Sequence, residues 1–243
     1  MPSAVIQKKE QLTDGVFRLR LRCTQIAPKQ AGQFLHIKCG EEPGLRRPIS
    51  ISDYGGGEIS VVVETKGAGT QWLSERLEGD TLDVLGPFGN GFPEIAEPGT
   101  LLVGGGIGVA PLVYAARRSG GLAVALLGYR SAENIICERD FESVGVKSYL
   151  TTDDTTGTVA DILPQVLSAE SITRIFTCGP RPMMDAVVRV AKEYGVTVYA
   201  SLEERMGCGV GACLCCAAEV PSGDGGGFEM KRVCREGPVF LFA

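Results

Sequence analysis

Four cysteines near the C-terminus, spaced Cys208-x4-Cys213-x2-Cys216-x17-Cys234, constrain this chain more than any other feature. The first three must share one tight loop, and the fourth must be carried back to them from further along. Five of the nine cysteines fall in this stretch, Cys215 being the fifth. Disulfides are rare inside cells, so a dense thiol cluster in a chain without export features points to metal or redox chemistry. Residues 1–12 show no apolar core followed by small residues, and no apolar run reaches the roughly 18 residues of a spanning helix. The expectation is a soluble, cytoplasmic chain that does not engage a membrane. A net charge of −5, without a block of like charges, argues against a nucleic-acid partner.

The run C-x4-C-x2-C followed by a distant Cys is the spacing of plant-type [2Fe–2S] ligation. Four thiolates supply the charge and softness that such irons require. Gly209 and Gly211 let the backbone curl round a cluster with its N–H groups turned toward sulfur. Cys208, Cys213, Cys216 and Cys234 are therefore the predicted metal ligands. Zinc competes for the same thiols, although it is usually held by C-x2–4-C pairs. Cys215 adjoins Cys216 and could replace it with little displacement; the x2 spacing favours Cys216. Cys23, Cys39, Cys137 and Cys178 are scattered and read as buried small hydrophobes. The single histidine, His36, lies in the alternating run Gln33-Phe34-Leu35-His36-Ile37-Lys38 and reads as a strand-surface side chain. With no second histidine, the chain does not offer a His-dependent nucleophile system.

Residues 1–97 alternate apolar and polar side chains in short runs, as in Val16-Phe17-Arg18-Leu19-Arg20-Leu21-Arg22. A Gly55-Gly56-Gly57 turn between two such runs marks a hairpin. Residues 98–200 instead alternate apolar strands with helical stretches, the pattern of a parallel sheet. Residues 201–243 are glycine- and cysteine-rich, with a flexible loop expected at 223–227. The predicted fold is multidomain: an antiparallel β-barrel, a parallel α/β domain, and a small cysteine-rich module.

Two constellations precede the cysteines. In the barrel segment, Arg47-Pro48-Ile49-Ser50 enters a strand, where Arg47 can meet a pyrophosphate and Ser50 can hydrogen-bond a flavin edge. About twenty residues on, Gly67-Ala68-Gly69-Thr70 opens a helix. There the absence of side chains and the helix N-terminus favour a phosphate, although Thr70 can also serve simply as a cap. In the α/β segment, Gly104-Gly105-Gly106-Ile107-Gly108-Val109-Ala110-Pro111 follows an apolar strand and precedes a helix, the context of a dinucleotide phosphate loop. Thr177-Cys178-Gly179-Pro180, with Met183, forms a second strand-end turn.

In this order the motifs resemble the ferredoxin–NADP reductase superfamily, and within it the electron-transfer subunits of dihydroorotate dehydrogenase B. The nearest stretches are Glu204-Arg205-Met206-Gly207-Cys208-Gly209-Val210-Gly211-Ala212-Cys213 and Val233-Cys234-Arg235-Glu236-Gly237-Pro238-Val239-Phe240. The resemblance implies one FAD and one [2Fe–2S] cluster. It puts FAD against Arg47, Pro48, Ile49, Ser50, Val62, Val63, Glu64, Gly69 and Thr70. It puts NAD against Gly104, Gly105, Gly106, Gly108, Cys178, Gly179 and Pro180. It also implies an FMN-containing catalytic subunit, in a heterotetramer, that oxidises dihydroorotate in pyrimidine (UMP) biosynthesis. Nothing in this chain looks like a pyrimidine site. Two other readings stay open: the FAD/[2Fe–2S] small subunit of an NADH-dependent ferredoxin–NADP reductase or cytoplasmic hydrogenase, and a zinc-stabilised non-enzymatic binding module. NAD and NADP are not distinguished; Arg130 and Ser131 could meet a 2′-phosphate or lie in a solvated loop.

Overall fold

The computed structural model describes residues 3–40, 46–223 and 226–243. Six strands close into an antiparallel barrel: β1 (Ser3–Thr13), β2 (Val16–Arg22), β3 (Phe34–Lys38), β4 (Arg46–Gly55), β5 (Glu58–Glu64) and, after helix α1 (Ala68–Ser74), β6 (Thr81–Phe88). Their order is β1-β2-β5-β4-β3-β6, with β6 returning to β1. The alternation read from the sequence fixes which face is inside. Phe17, Leu19, Leu21, Leu35, Ile37, Ile51, Ile59, Val61 and Val63 fill the interior, while Arg20 and Arg22 point out. The β4–β5 hairpin turns through Gly56 and Gly57, both at positive φ (61° and 79°). That is the conformation a two-residue hairpin loop needs and a Cβ opposes.

The second half alternates strand and helix: β7 (Thr100–Gly105), α2 (Ala110–Arg118), β8 (Ala123–Tyr129), α3 (Glu138–Ser143), β9 (Lys147–Thr152), α4 (Val159–Ala169), β10 (Arg174–Cys178), α5 (Arg181–Glu193) and β11 (Thr197–Ser201). The strands β11-β10-β7-β8-β9 run parallel. β7 is central, and the chain departs from it in opposite directions, toward β8 and β9 on one side and β10 and β11 on the other. In sheets of this kind ligands bind at the C-terminal strand ends where the order reverses. Here that crevice lies between Gly104 and Cys178, which are register partners on β7 and β10.

The cysteine-rich segment contains the hairpin β12 (Ala217–Pro221) and β13 (Phe228–Arg232), followed by β14 (Val239–Leu241). This is the small cysteine-rich module read from the sequence, and its last strand reaches beyond the module. β14 pairs antiparallel with β11 and forms the edge of the nucleotide-type sheet. Asn90, in the linker after the barrel, adds to this fastening by donating from Nδ2 to the carbonyls of Arg235 (3.2 Å) and Glu236 (3.1 Å). A distinct small core of Phe34, Met184, Leu202, Cys216, Val233 and Cys234 joins this segment to the barrel and to α5. Of the loop expected at 223–227, Asp224 and Gly225 lie outside the described residues.

His36 is the clearest departure from expectation. Alternation places it on the outside of β3, as read, because Leu35 and Ile37 occupy the inside. The outer face is nevertheless covered by the cysteine-rich segment, and the His36 side chain is only 1% exposed. Cys23, Cys39 and Cys137 are buried as expected, and Cys178 is half-buried.

An aromatic stack spans the junction of the halves. Phe92, in the linker, lies 4.8 Å from Phe176 of β10 at 14°, and Phe176 meets Tyr199 of β11 edge-on at 5.6 Å. Phe176 is fully buried. Phe176→Ala is expected to lower unfolding free energy by about 3–5 kcal/mol, as measured by chemical denaturation. A loss below about 1 kcal/mol would show that the site collapses without cost.

Candidate functional site

On the barrel, Arg47-Pro48-Ile49-Ser50 occupies β4 opposite residues 34–37 of β3. Ser50 is exposed and Arg47 half-buried. The Arg47 side chain reaches the start of α1. A Cβ added at Gly69 would stand 2.6 Å from Arg47 Nε, so the two halves of the predicted flavin constellation meet, and glycine makes the room. Thr70 is the third residue of α1, and Gly67 occupies the N-cap position. Thr70 Oγ1 accepts from the amides of Lys66 (2.9 Å) and Gly67 (3.2 Å), which shapes the turn. The three β5 residues divide by face. Val63 points into the barrel and can offer a ligand only its backbone. Val62 packs toward the nucleotide-type domain, and Glu64 pairs with Lys66 at 2.9 Å.

At the switch point, residues 106–109 form one 3-10 turn. Gly105 backs onto Met183 and Pro180, and Gly108 abuts the backbone of Cys178 and Gly179. A Cβ on Gly108 would lie 2.5 Å from the Cys178 carbonyl oxygen. The two sequence-predicted turns are thus one surface, and its glycines set how closely they approach. Burial pushes the Cys178 thiol up to about 12, against a hydrogen bond with Ser201 that pulls it down, so it stands there as a neutral group.

The predicted thiol ligands form two pairs. Cys208 Sγ accepts from the amides of Ala212 (3.2 Å) and Val210 (3.5 Å), and Cys213 Sγ accepts from the amide of Cys208 (3.5 Å). The Val210 amide is the largest of the influences, followed by that of Cys213, that draw Cys208 down to about 6. Cys216 Sγ accepts from the amide of Cys234 (3.4 Å). Burial first, and then neighbouring Cys216, pushes Cys234 up to about 12. Cys215 is exposed, whereas Cys216 is buried. Among the described residues, no three His, Cys, Asp or Glu side chains close round a single metal position. Two thiol pairs, each with amide donors aimed at sulfur, fit a pair of irons with two thiolates apiece.

Sequence reasoning missed what braces this loop. Arg232 donates from Nη1 to the Gly211 carbonyl at 2.9 Å and pairs with Glu236. That pairing holds the Glu236 carboxyl down at about 2. Arg232 and Glu236 have the i,i+4 spacing of an ordinary surface pair, and only the fold puts Gly211 within reach. Arg46 was likewise unnoticed: it bridges the Asp83 carboxylate (2.7 Å) and the His36 carbonyl (3.1 Å).

Residues 203–243 match the family model described as the iron–sulfur cluster binding domain of dihydroorotate dehydrogenase B. Over 224 residues, 87% of this chain and 85% of the relative, the sequence is 41% identical to the dihydroorotate dehydrogenase B (NAD(+)) electron transfer subunit of Bacillus caldolyticus. The corresponding subunit of Geobacillus sp. (strain WCH70) is 38% identical over 258 aligned positions, covering 97% of both chains. The chain belongs to the family of dihydroorotate dehydrogenase B electron transfer subunits. It is therefore related to subunits of oxidoreductases. Among solved structures, an NADH-dependent reduced ferredoxin–NADP oxidoreductase, described in connection with flavin-based electron bifurcation, superposes with a TM-score of 0.87 at 29% identity. That superposition covers 98% of this chain and 87% of the other. The flavohem-like FAD/NAD binding domain of a nitric oxide dioxygenase from Vibrio cholerae shares the fold (TM-score 0.66, 19% identity, 80% and 94% covered). The electron-transfer family and the ferredoxin-reductase-like fold expected from the motifs are thus both found.

The glycine contact at the switch point gives a direct test. Gly108→Ala forces a methyl against backbone that cannot swing away, which is expected to cost about 1–3 kcal/mol of stability. Gly67→Ala, where an added Cβ meets nothing within 4 Å, should stay within about 0.5 kcal/mol of the parent. Denaturant midpoints of the two variants decide it: equal losses would mean that the crevice yields freely.

Proposed function

We propose that this chain carries electrons between the FMN-bearing catalytic subunit of a dihydroorotate dehydrogenase and NAD, in pyrimidine (UMP) biosynthesis, using a bound FAD and [2Fe–2S] cluster. The observation that carries the reading is the two thiol pairs, ringed by amide donors, within the segment that matches the family's iron–sulfur domain. When bound, the cluster supplies one-electron transfer and FAD supplies exchange between single electrons and a nicotinamide hydride.

The chain's own residues have separable tasks. Cys208 with Cys213, and Cys216 with Cys234, would hold the cluster as thiolates. The amides of Val210 and Ala212 offset the negative charge that four thiolates gather. Arg47, lying over Gly69, meets the FAD pyrophosphate. Ser50 hydrogen-bonds the flavin edge, and residues 62–64 line it mainly through backbone. Gly104, Gly105, Gly106 and Gly108 let the nicotinamide nucleotide approach the sheet, with Cys178, Gly179 and Pro180 on the other side of the crevice. No acid–base residue is called for, and His36 is the only histidine.

A partner is part of the proposal, in a heterotetramer. Val210 and Leu214 on the thiol loop, with Phe228 and Met230 on β13, are exposed, which gives this segment apolar surface suited to a second subunit. The superposition on the NADH-dependent reduced ferredoxin–NADP oxidoreductase favours a second reading, in which the same cofactors serve a ferredoxin-linked enzyme. The partner separates the two. An FMN-bearing barrel protein recovered with the chain, and dihydroorotate-dependent NADH formation on mixing, support the first reading. A large iron–sulfur subunit in its place sinks it.

The ligand assignment has its own test. Cys213→Ser is expected to abolish the [2Fe–2S] absorption and nearly all dihydroorotate–NAD turnover while flavin content persists. Cys215→Ser is expected to keep both. A normal cluster spectrum in the first variant, or its loss in the second, overturns the assignment.

A further inference from the structure

His36 is the sole histidine of the chain, and its ring is buried. Among the described residues neither Nδ1 nor Nε2 has a partner. Buried polar nitrogens left unpaired are costly and rare, so a fold that keeps one implies a partner from outside the chain. In the strand ladder His36 is the register partner of Pro48, inside the Arg47–Ser50 run. Its ring abuts the thiol loop: a Cβ on Gly209 would stand 2.6 Å from Nδ1 and 2.9 Å from Cε1. Gly209, at φ +71°, therefore serves two ends: it turns the chain after Cys208 and leaves room for the imidazole. Burial first, and then the charges of Arg46 and Arg47, lowers the ring's pKa, so it is neutral and carries one N–H.

We propose that His36 is a positioning residue for the cluster, donating its ring N–H to a sulfur of the [2Fe–2S] group at the Cys208–Cys213 loop. This rests on the cluster reading given above. A donor at sulfur stabilises the reduced, more negative state, so His36 raises the cluster's potential. Its position opposite Pro48 also ties that loop to the strand assigned to FAD.

The single histidine makes the test clean. The full chain is labelled with [15N]histidine, combined with its unlabelled partner subunit and reduced with dithionite, and the cluster signal is examined by pulsed EPR. One weak nitrogen coupling, of the size a hydrogen bond transmits, is expected. No coupling, a coupling as large as direct ligation gives, or a coupling on the flavin signal instead overturns the proposal. A redox titration of His36→Leu and His36→Asn supplies the energetic readout. In the Leu variant the reduced-to-oxidised cluster ratio at fixed potential is expected to fall about tenfold, about 59 mV for one electron. In the Asn variant, whose amide nitrogen can replace Nδ1, it should stay within about twofold of the parent. An unshifted Leu variant, or an Asn variant shifted as far as Leu, overturns the donor role. Should His36→Leu fail to take up the cluster, the isotope measurement on the unmutated chain still decides. An unmutated protein lacking any [2Fe–2S] spectrum removes the cluster reading and this one together. A loaded cluster without nitrogen coupling removes the His36 assignment alone.

Discussion

The two faces of β3 do different jobs, and the arrangement of the molecule follows from keeping them distinct. Leu35 and Ile37 complete the barrel interior, while Phe34 and His36 leave the barrel and enter the core under the thiol loop. A strand has only these two faces. A one-residue slip in register would send the aromatic and imidazole rings inward and expose the aliphatic pair to the loop. Pairing with β4 on one side and β6 on the other prevents that slip. The same pairing sets Arg47 and Ser50 at a fixed height relative to the cysteines.

Charge is managed locally rather than by one large field. The chain is acidic overall, and thiolates held side by side repel one another. The loop answers with amide N–H groups aimed at sulfur, each supplying partial positive charge without a desolvated cation. Arginines are kept one step back: Arg232 braces the Gly211 carbonyl and is balanced by Glu236, and Arg46 is balanced by Asp83. The thiol environment therefore depends on backbone shape, which is why glycines at 209 and 211, both at positive φ, matter as much as the cysteines.

Much of this was legible in the sequence. Alternation in 16–22 and 59–64 located barrel strands, the Gly55-Gly56-Gly57 run located a hairpin, and glycine-rich strand ends marked two turns that the fold brings together. These signals are local, since each depends on residues within one turn or one strand. The two sides of the crevice could be recognised separately, but their contact through Gly108 and Cys178 required the sheet order. His36 shows the limit most plainly. Period-two alternation says which way a side chain points and is silent about what covers it. The cover comes from a segment some 170 residues away in sequence. The return of β14 to the sheet was invisible for a similar reason, because three residues are too few to carry a period.

That return fixes both ends of the thiol loop. β11 leaves the sheet at 201 and β14 rejoins it at 239, so the thiols sit on a loop pinned at both ends by one pair of strands. Closing a loop of this length has an entropic cost that is met once, by the sheet. β14 also covers the outer edge of β11, so one short strand both finishes the sheet and anchors the far end of the thiol loop.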